Sequence, residues 1–207
     1  MTNIIFDFDG TLVNSLPVAI EIYYELVPQA PRVTEQDIKR LRKLPAREII
    51  KQLQVPLHKV PGLLMKGRAA LAKRMDEIKL FDGVTDVIDS KDEQTRFFIM
   101  SSNSETNVRR TLRANSIEDV FEAVDGGVGL FSKASALKKL IKAHRLDKSD
   151  TYYIGDETRD IEAAKKIGLK CVAVTWGYND AKILATYKPD FIANTPAELK
   201  QTLARKQ

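Results

Sequence analysis

The chain has 207 residues, 43% apolar and 29% charged, with a net charge of +5; this suffices for one core plus a small insertion and excludes disorder as the main state. No run approaches the ~20 apolar residues of a membrane-spanning helix, and the start lacks a basic and apolar leader, so no signal peptide is expected. Cys171 is the single cysteine, which excludes an internal disulfide and points to a reducing cytoplasm, and with only His58 and His144 a His/Cys zinc site or a serine–histidine triad has almost nothing to be built from.

Taken in chain order, Asn3–Phe8 is a short apolar run that reads as a buried parallel strand ending in acidic residues. Ser15 to about Lys79 holds no convincing strand. It carries helical patterns separated by Pro28, Pro31, Pro45, Pro56 and Pro61. Leu64, Leu71, Met75 and Ile78 form an apolar stripe at near-helical spacing, with Lys66, Arg68, Lys73 and Arg74 largely off it. This block has thirteen Lys and Arg against seven Asp and Glu, so it holds the whole positive excess of the chain. Phe97–Met100, Thr151–Ile154 and Cys171–Thr175 are further short strands bounded by Gly, Ser, Asn or Asp, and Asp190–Ile192 reads as an edge strand. Between them Val108 and Leu112 share a helix face, as do Leu137, Leu140, Ile141 and His144. Thr195-Pro196 caps a last helix. The alternation predicts an α/β fold, a doubly wound parallel-sheet, Rossmann-like core over 1–14 and 80–207 with a small inserted α-helical cap domain over 15–79.

Chemistry gathers at the strand ends. In Phe6-Asp7-Phe8-Asp9-Gly10-Thr11 an extended backbone would aim Asp7 and Asp9 the same way, roughly 6–7 Å apart. Charges at the end of a buried strand call for a metal or a partner cation. Gly10 permits a tight turn, and Thr11 offers a hydroxyl and an amide to phosphate oxygens. Gly155-Asp156-Glu157-Thr158-Arg159-Asp160 follows another strand, with Asp156 at its end and Asp160 four residues on. Several carboxylates in one crevice repel unless a hard cation such as Mg2+ joins them. Ser101 ends a third strand and is placed to bind a phosphate oxygen, with Ser102 and Asn103 beside it as substrate-binding candidates. Lys133, in Phe131-Ser132-Lys133, opens a helix whose dipole it opposes, which suits a cation directed at phosphate and carboxylate.

Asp7-Phe8-Asp9-Gly10-Thr11-Leu12, Ser101, Lys133 and Gly155-Asp156…Asp160 together resemble the four ordered motifs of the haloacid dehalogenase-like superfamily. Asn14-Ser15-Leu16-Pro17 and Leu80-Phe81-Asp82-Gly83-Val84 resemble its phosphoglycolate phosphatase-like branch with a helical cap. The resemblance implies a Mg2+-dependent phosphatase acting on small anionic phosphomonoesters through an aspartyl-phosphate. Asp7 would be the nucleophile and Asp9 the acid and base, and Ser101 and Lys133 would hold the phosphoryl group. Mg2+ would bind the Asp7 carboxylate, the Asp9 backbone carbonyl and Asp156, with Asp160 positioning a water and Glu157 able to replace or assist it. Asn14 stands where the branch usually has aspartate, and Ser101 replaces the commoner threonine. Arg42, Lys43 and Arg47 flank the Leu44-Pro45 turn, where related chains carry a specificity loop; Lys43 and Arg47 are expected to grip a second acidic group of the substrate.

A β-phosphoglucomutase-like transferase would share the fold and both aspartates. A 2-haloacid dehalogenase would leave Asp9 and the Asp156/Asp160 pair without a role, and a phosphoacceptor signalling module would not want an acid/base beside its nucleophile. The partner expected is a small phosphorylated metabolite, with no membrane and no nucleic acid, the chain acting as a monomer or homodimer.

Overall fold

A computed structural model describes residues 1–53, 56–129 and 132–204, so Phe131 of the Lys133 motif lies outside the described residues. Six parallel strands form one sheet: β1 (Thr2–Phe6), β2 (Thr95–Met100), β3 (Phe121–Asp125), β4 (Thr151–Gly155), β5 (Lys170–Val174) and β6 (Phe191–Ala193). Their spatial order is β3-β2-β1-β4-β5-β6. The order reverses between β1 and β4, so the crevice at the carboxyl ends of these two strands is where such sheets bind ligands.

Period-2 alternation sorts the core onto two faces. Ile4, Phe6, Phe97, Ile99, Tyr152, Ile154, Val172 and Val174 face α5 (Val84–Ile88), α6 (Glu105–Ala114) and α10 (Pro196–Ala204). Ile5, Phe98, Met100, Tyr153, Cys171 and Ala173 face α7 (Lys133–His144), α8 (Thr158–Ile167) and α9 (Ala181–Thr186). The helix faces expected from Val108 with Leu112, and from Leu137, Leu140 and Ile141, are buried on these two sides. His144 lies tilted over Phe98, with ring centroids 5.1 Å apart. Thr195 caps α10 by accepting from the Glu198 amide.

The structure adds one strand to those expected and corrects one helix. In β3, Glu122 and Asp125 interrupt the apolar run that marks the other strands; it is an edge strand that buries only Phe121 and Val124 well. The stripe from Leu64 to Ile78 is not one helix. Its helix ends at Lys73, Met75 begins a 3-10 turn, and Met75 and Ile78 are buried in the core while Leu64 stays partly exposed.

Between β1 and α5 the described residues form four α-helices: α1 (Leu16–Leu26), α2 (Glu35–Leu41), α3 (Ala46–Gln52) and α4 (Val60–Lys73). Thr34 and Asp37 close a capping box on α2, and Pro45 starts α3. Only α1 among these sends fully buried residues, Val18 and Ile22, into the core. No helix among the described residues is long and apolar enough to cross a membrane.

The strongest packing test lies on β1. Phe6 is fully buried and meets the rings of Phe97 and Phe121 edge-on, with centroids 5.2 and 6.2 Å away. Phe6→Ala should cost ~3–5 kcal/mol of unfolding free energy in a urea titration, because a rigid aromatic cluster cannot collapse into the void.

Candidate active site

β1 stops at Phe6, short of the expected Phe8, although the Asp7 amide still donates to the Ile154 carbonyl on β4 at 2.8 Å. The chain then turns so tightly that the Phe8 carbonyl accepts from the amides of Thr11, Leu12 and Val13. Asp7 and Asp9 therefore sit on a loop, and strand periodicity does not set their spacing. Gly10 allows the turn with φ +80°, and a Cβ there would lie 2.2 Å from Asp156 Oδ2.

Asp7 is buried, with Oδ1 accepting from the Phe8 amide at 2.8 Å and Oδ2 from the Lys133 ammonium. Lys133 also donates to Asp160 Oδ1, which accepts from the Tyr153 hydroxyl at 3.2 Å as well. Asp160 Oδ2 accepts from the Glu157 amide at 2.9 Å, closing a capping box at the start of α8. Asp156 accepts from the Thr11 hydroxyl at 3.0 Å and from the Tyr178 amide at 2.6 Å. Ligand oxygens of Asp7, Asp156 and Asp160 lie within 4.8 Å of one another.

One ammonium does not balance three buried carboxylates. Burial, opposed by Lys133, pushes the Asp7 carboxyl up to about 7. Burial, joined by Glu157 and Asp160, drives Asp156 well above the ordinary carboxylate range. Burial alone would lower Lys133, but Asp160 and Asp7 more than reverse this and hold it charged. A dry group of hard oxygen donors with surplus negative charge suits Mg2+. The Asp9 carboxylate is outside this trio. Its Oδ1 is buried with no hydrogen-bond partner, and burial pushes its carboxyl up against the pull of Ser15.

Asp7 and Asp9 open onto a cavity of about 390 Å³ whose lower wall includes Ser102, Glu157, Arg159, Tyr178 and Asn179. Arg159 donates to Glu157, while its Nε and Nη1 are buried without partners. Glu157 is thus taken by Arg159, and Asp160, not Glu157, stands in the trio.

Several expected contacts are corrected. The Thr11 hydroxyl is committed to Asp156, so Gly10 and Thr11 pack behind a carboxylate and do not face the cavity. Asn103 Oδ1 accepts from the Ser104 amide and from Asn107 Nδ2, bracing the start of α6. Ser101 is buried, and its Oγ accepts from the Asn103 amide at 2.9 Å, leaving its own hydroxyl proton to donate; Ser102 is the one on the cavity wall. Lys43 and Arg47 are exposed and do not line the cavity, whereas Arg68 and Arg159 do. Arg42 is latched to the core, donating to the Thr175 carbonyl at 2.8 Å. Tyr178 and Asn179 were missed. Their signal was a Gly-Tyr-Asn run directly after an apolar strand, the place where sheets of this order collect ligand contacts.

The family model for haloacid dehalogenase-like hydrolases matches residues 4–174. A phosphoglycolate phosphatase of Synechococcus elongatus is 35% identical over 99% of this chain and 98% of its own. The pyrophosphatase PpaX of Listeria innocua is 25% identical over 96% of this chain and 94% of its own. The crystal structure of a predicted phosphatase from Clostridium acetobutylicum superposes with a TM-score of 0.82 at 21% identity, covering 99% of this chain and 98% of that one. The chain belongs to the haloacid dehalogenase-like hydrolase family.

Lys133→Met should lower stability by ~3–5 kcal/mol in urea denaturation, since it strands two buried carboxylates. Adding Asp160→Asn to that variant should recover part of the loss. A loss below about 1 kcal/mol would show that Lys133 does not neutralise the pair.

Proposed function

We propose that the chain is a Mg2+-dependent phosphatase that hydrolyses phosphomonoesters through an aspartyl-phosphate on Asp7. The observation that carries this is the division of labour between two aspartates on one cavity. Asp7 is held by Lys133 and the Phe8 amide, whereas Asp9 keeps a buried oxygen without a partner. In this proposal an Asp7 oxygen attacks phosphorus and the ester P–O bond breaks. Asp9 gives its proton to the departing oxygen, then takes one from the water that attacks the aspartyl-phosphate. Inorganic phosphate leaves and Asp7 is restored. Ser101 donates to a phosphoryl oxygen and Lys133 keeps the nucleophile oriented. Asp7, Asp156 and the Asp9 carbonyl would hold Mg2+, with Asp160 behind them. When bound, the ion supplies positive charge where the phosphoryl oxygens gather negative charge.

The names of the relatives, a phosphoglycolate phosphatase and a pyrophosphatase, support a phosphate-bearing substrate. The helices over 15–79 serve as a cap on a core formed by 1–14 and 80–207. The anchoring of their α2–α3 turn to the segment after β5 supports this division. The lone, buried Cys171 is in keeping with a cytoplasmic enzyme.

An aryl phosphate with Mg2+ at neutral pH is the first assay, and excess chelator should abolish turnover. Asp7→Asn should remove both turnover and the covalent adduct detected by mass spectrometry. Asp9→Asn should slow turnover by ~10²–10⁴-fold, more for alkyl than for aryl phosphates, because a phenolate leaves without much protonation. An Asp7→Asn variant with most of its activity would place the nucleophile elsewhere.

A further inference from the structure

The cavity over the aspartates has two unlike ends. Its charged groups Asp7, Asp9, Glu157 and Arg159 lie at the sheet end, and among the described residues Arg68 is the one charged residue of the helical wall. The rest of that wall is almost wholly apolar: α1 contributes Ile22 and Leu26, α3 contributes Ile49 and Ile50, and α4 contributes Leu63 and Leu71. Neither α3 nor α4 contains a fully buried residue. An amphipathic helix normally lays its apolar stripe on a core; Ala70 and Leu71 at the end of α4 do so, yet Ile49 and Ile50 of α3 and Leu63 of α4 line open volume.

That volume is not easily explained as slack. Protein interiors pack to crystal-like density, and apolar cavities hold water poorly. The wall is also tied in place over the site. Asn179 Nδ2 donates to the carbonyls of Arg42 and Leu44, and the Asp180 amide donates to the Arg42 carbonyl. Meanwhile the basic excess of the helical segment is directed elsewhere, with Lys43, Arg47, Lys51 and Lys66 exposed and absent from the wall. A pocket of this size, apolar around the body and polar at one end, suits an amphipathic small molecule.

We infer that the organic part of the substrate is an apolar chain or ring, seated between α1, α3 and α4 while its phosphate meets Asp7. This rests on the phosphomonoester reading above and adds the substrate class to it. Among the described residues, a second carboxylate on the substrate finds only Arg68 and the Tyr23 hydroxyl on this wall.

The test is a series of n-alkyl phosphates, methyl to octyl, assayed with Mg2+ beside phosphoglycolate. Each methylene that enters the wall should raise kcat/KM by about fourfold, the ratio that ~0.8 kcal/mol per buried CH₂ gives, until the cavity is filled. Phosphoglycolate should fall below butyl phosphate. Gly67 supplies the variant: a Cβ there meets nothing closer than Leu26 Cδ1 at 3.9 Å, so Gly67→Leu projects into the space. It should lower the octyl-to-methyl ratio at least tenfold, with folding checked by circular dichroism. Leu64→Gln, at a partly exposed position, should lower the same ratio. Calorimetry with n-alkylphosphonates, which need no hydrolysis, reads the wall independently. Affinity that rises with chain length without any hydrolysis of the phosphates would keep the apolar site and overturn the phosphatase reading. Hydrolysis with no chain-length dependence would keep the phosphatase reading and overturn the apolar site. A ratio unmoved by both variants would also overturn it.

Discussion

The Lys133 ammonium between Asp7 and Asp160 is the interaction on which the rest of the site depends. Three carboxylates converge where the strand order reverses between β1 and β4, each of them buried. Desolvation opposes the charged form of each one. Lys133 pulls the Asp7 carboxyl down against this, so Asp7 can persist there as carboxylate near neutrality. Its placement at the start of α7 looks wrong for the helix dipole. The two aspartates supply what the helix end does not.

The remaining carboxylate, Asp156, is fixed by backbone proximity. A Cβ on Gly177 would lie 2.1 Å from the Gly10 carbonyl and 2.2 Å from Asp156 Oδ2. Two glycines on different loops are thus needed for the segment after β5 to press against the loop after β1. The same segment carries Tyr178, whose amide holds Asp156, and Asn179, whose side chain accepts from the Thr158 amide and donates to the α2–α3 turn. Carboxylate geometry and the position of the helical wall therefore share one short stretch of chain. A displacement of the α2–α3 turn cannot leave Asn179 and the start of α8 untouched.

Much of this was legible in the sequence. Buried parallel strands announce themselves because both faces are covered, so Ile4, Ile5 and Phe6 or Cys171–Val174 form unbroken apolar runs. The edge strand β3 has no such run and was lost. Asp7, Asp156, Asp160 and Lys133 could be gathered because their type and order at strand ends restrict the alternatives. The partners of Thr11 and Asn103 could not be read. Either hydroxyl or amide would suit phosphate, and only the folded loop shows them committed to Asp156 and to α6. Lys43 and Arg47 failed for a related reason. Charge can be counted along a chain, but which side of a short helix meets the cavity depends on where the helix docks.

That last point separates two uses of charge in the helical segment. Exposed Lys and Arg act over about a Debye length, ~8 Å at physiological salt, and raise the local concentration of any anion without distinguishing one from another. Selection among phosphate-bearing molecules needs contacts that differ between them. Along the cavity those contacts are aliphatic on the helical side, apart from Arg68 and the Tyr23 hydroxyl. In the proposed function the common element of all candidate substrates, the phosphate, would be met by the residues of the sheet end. What varies among substrates would be met by α1, α3 and α4. Positive charge on the outside and an apolar wall within would then be complementary: the first would draw in phosphates as a class, and the second would discriminate by the body each phosphate carries.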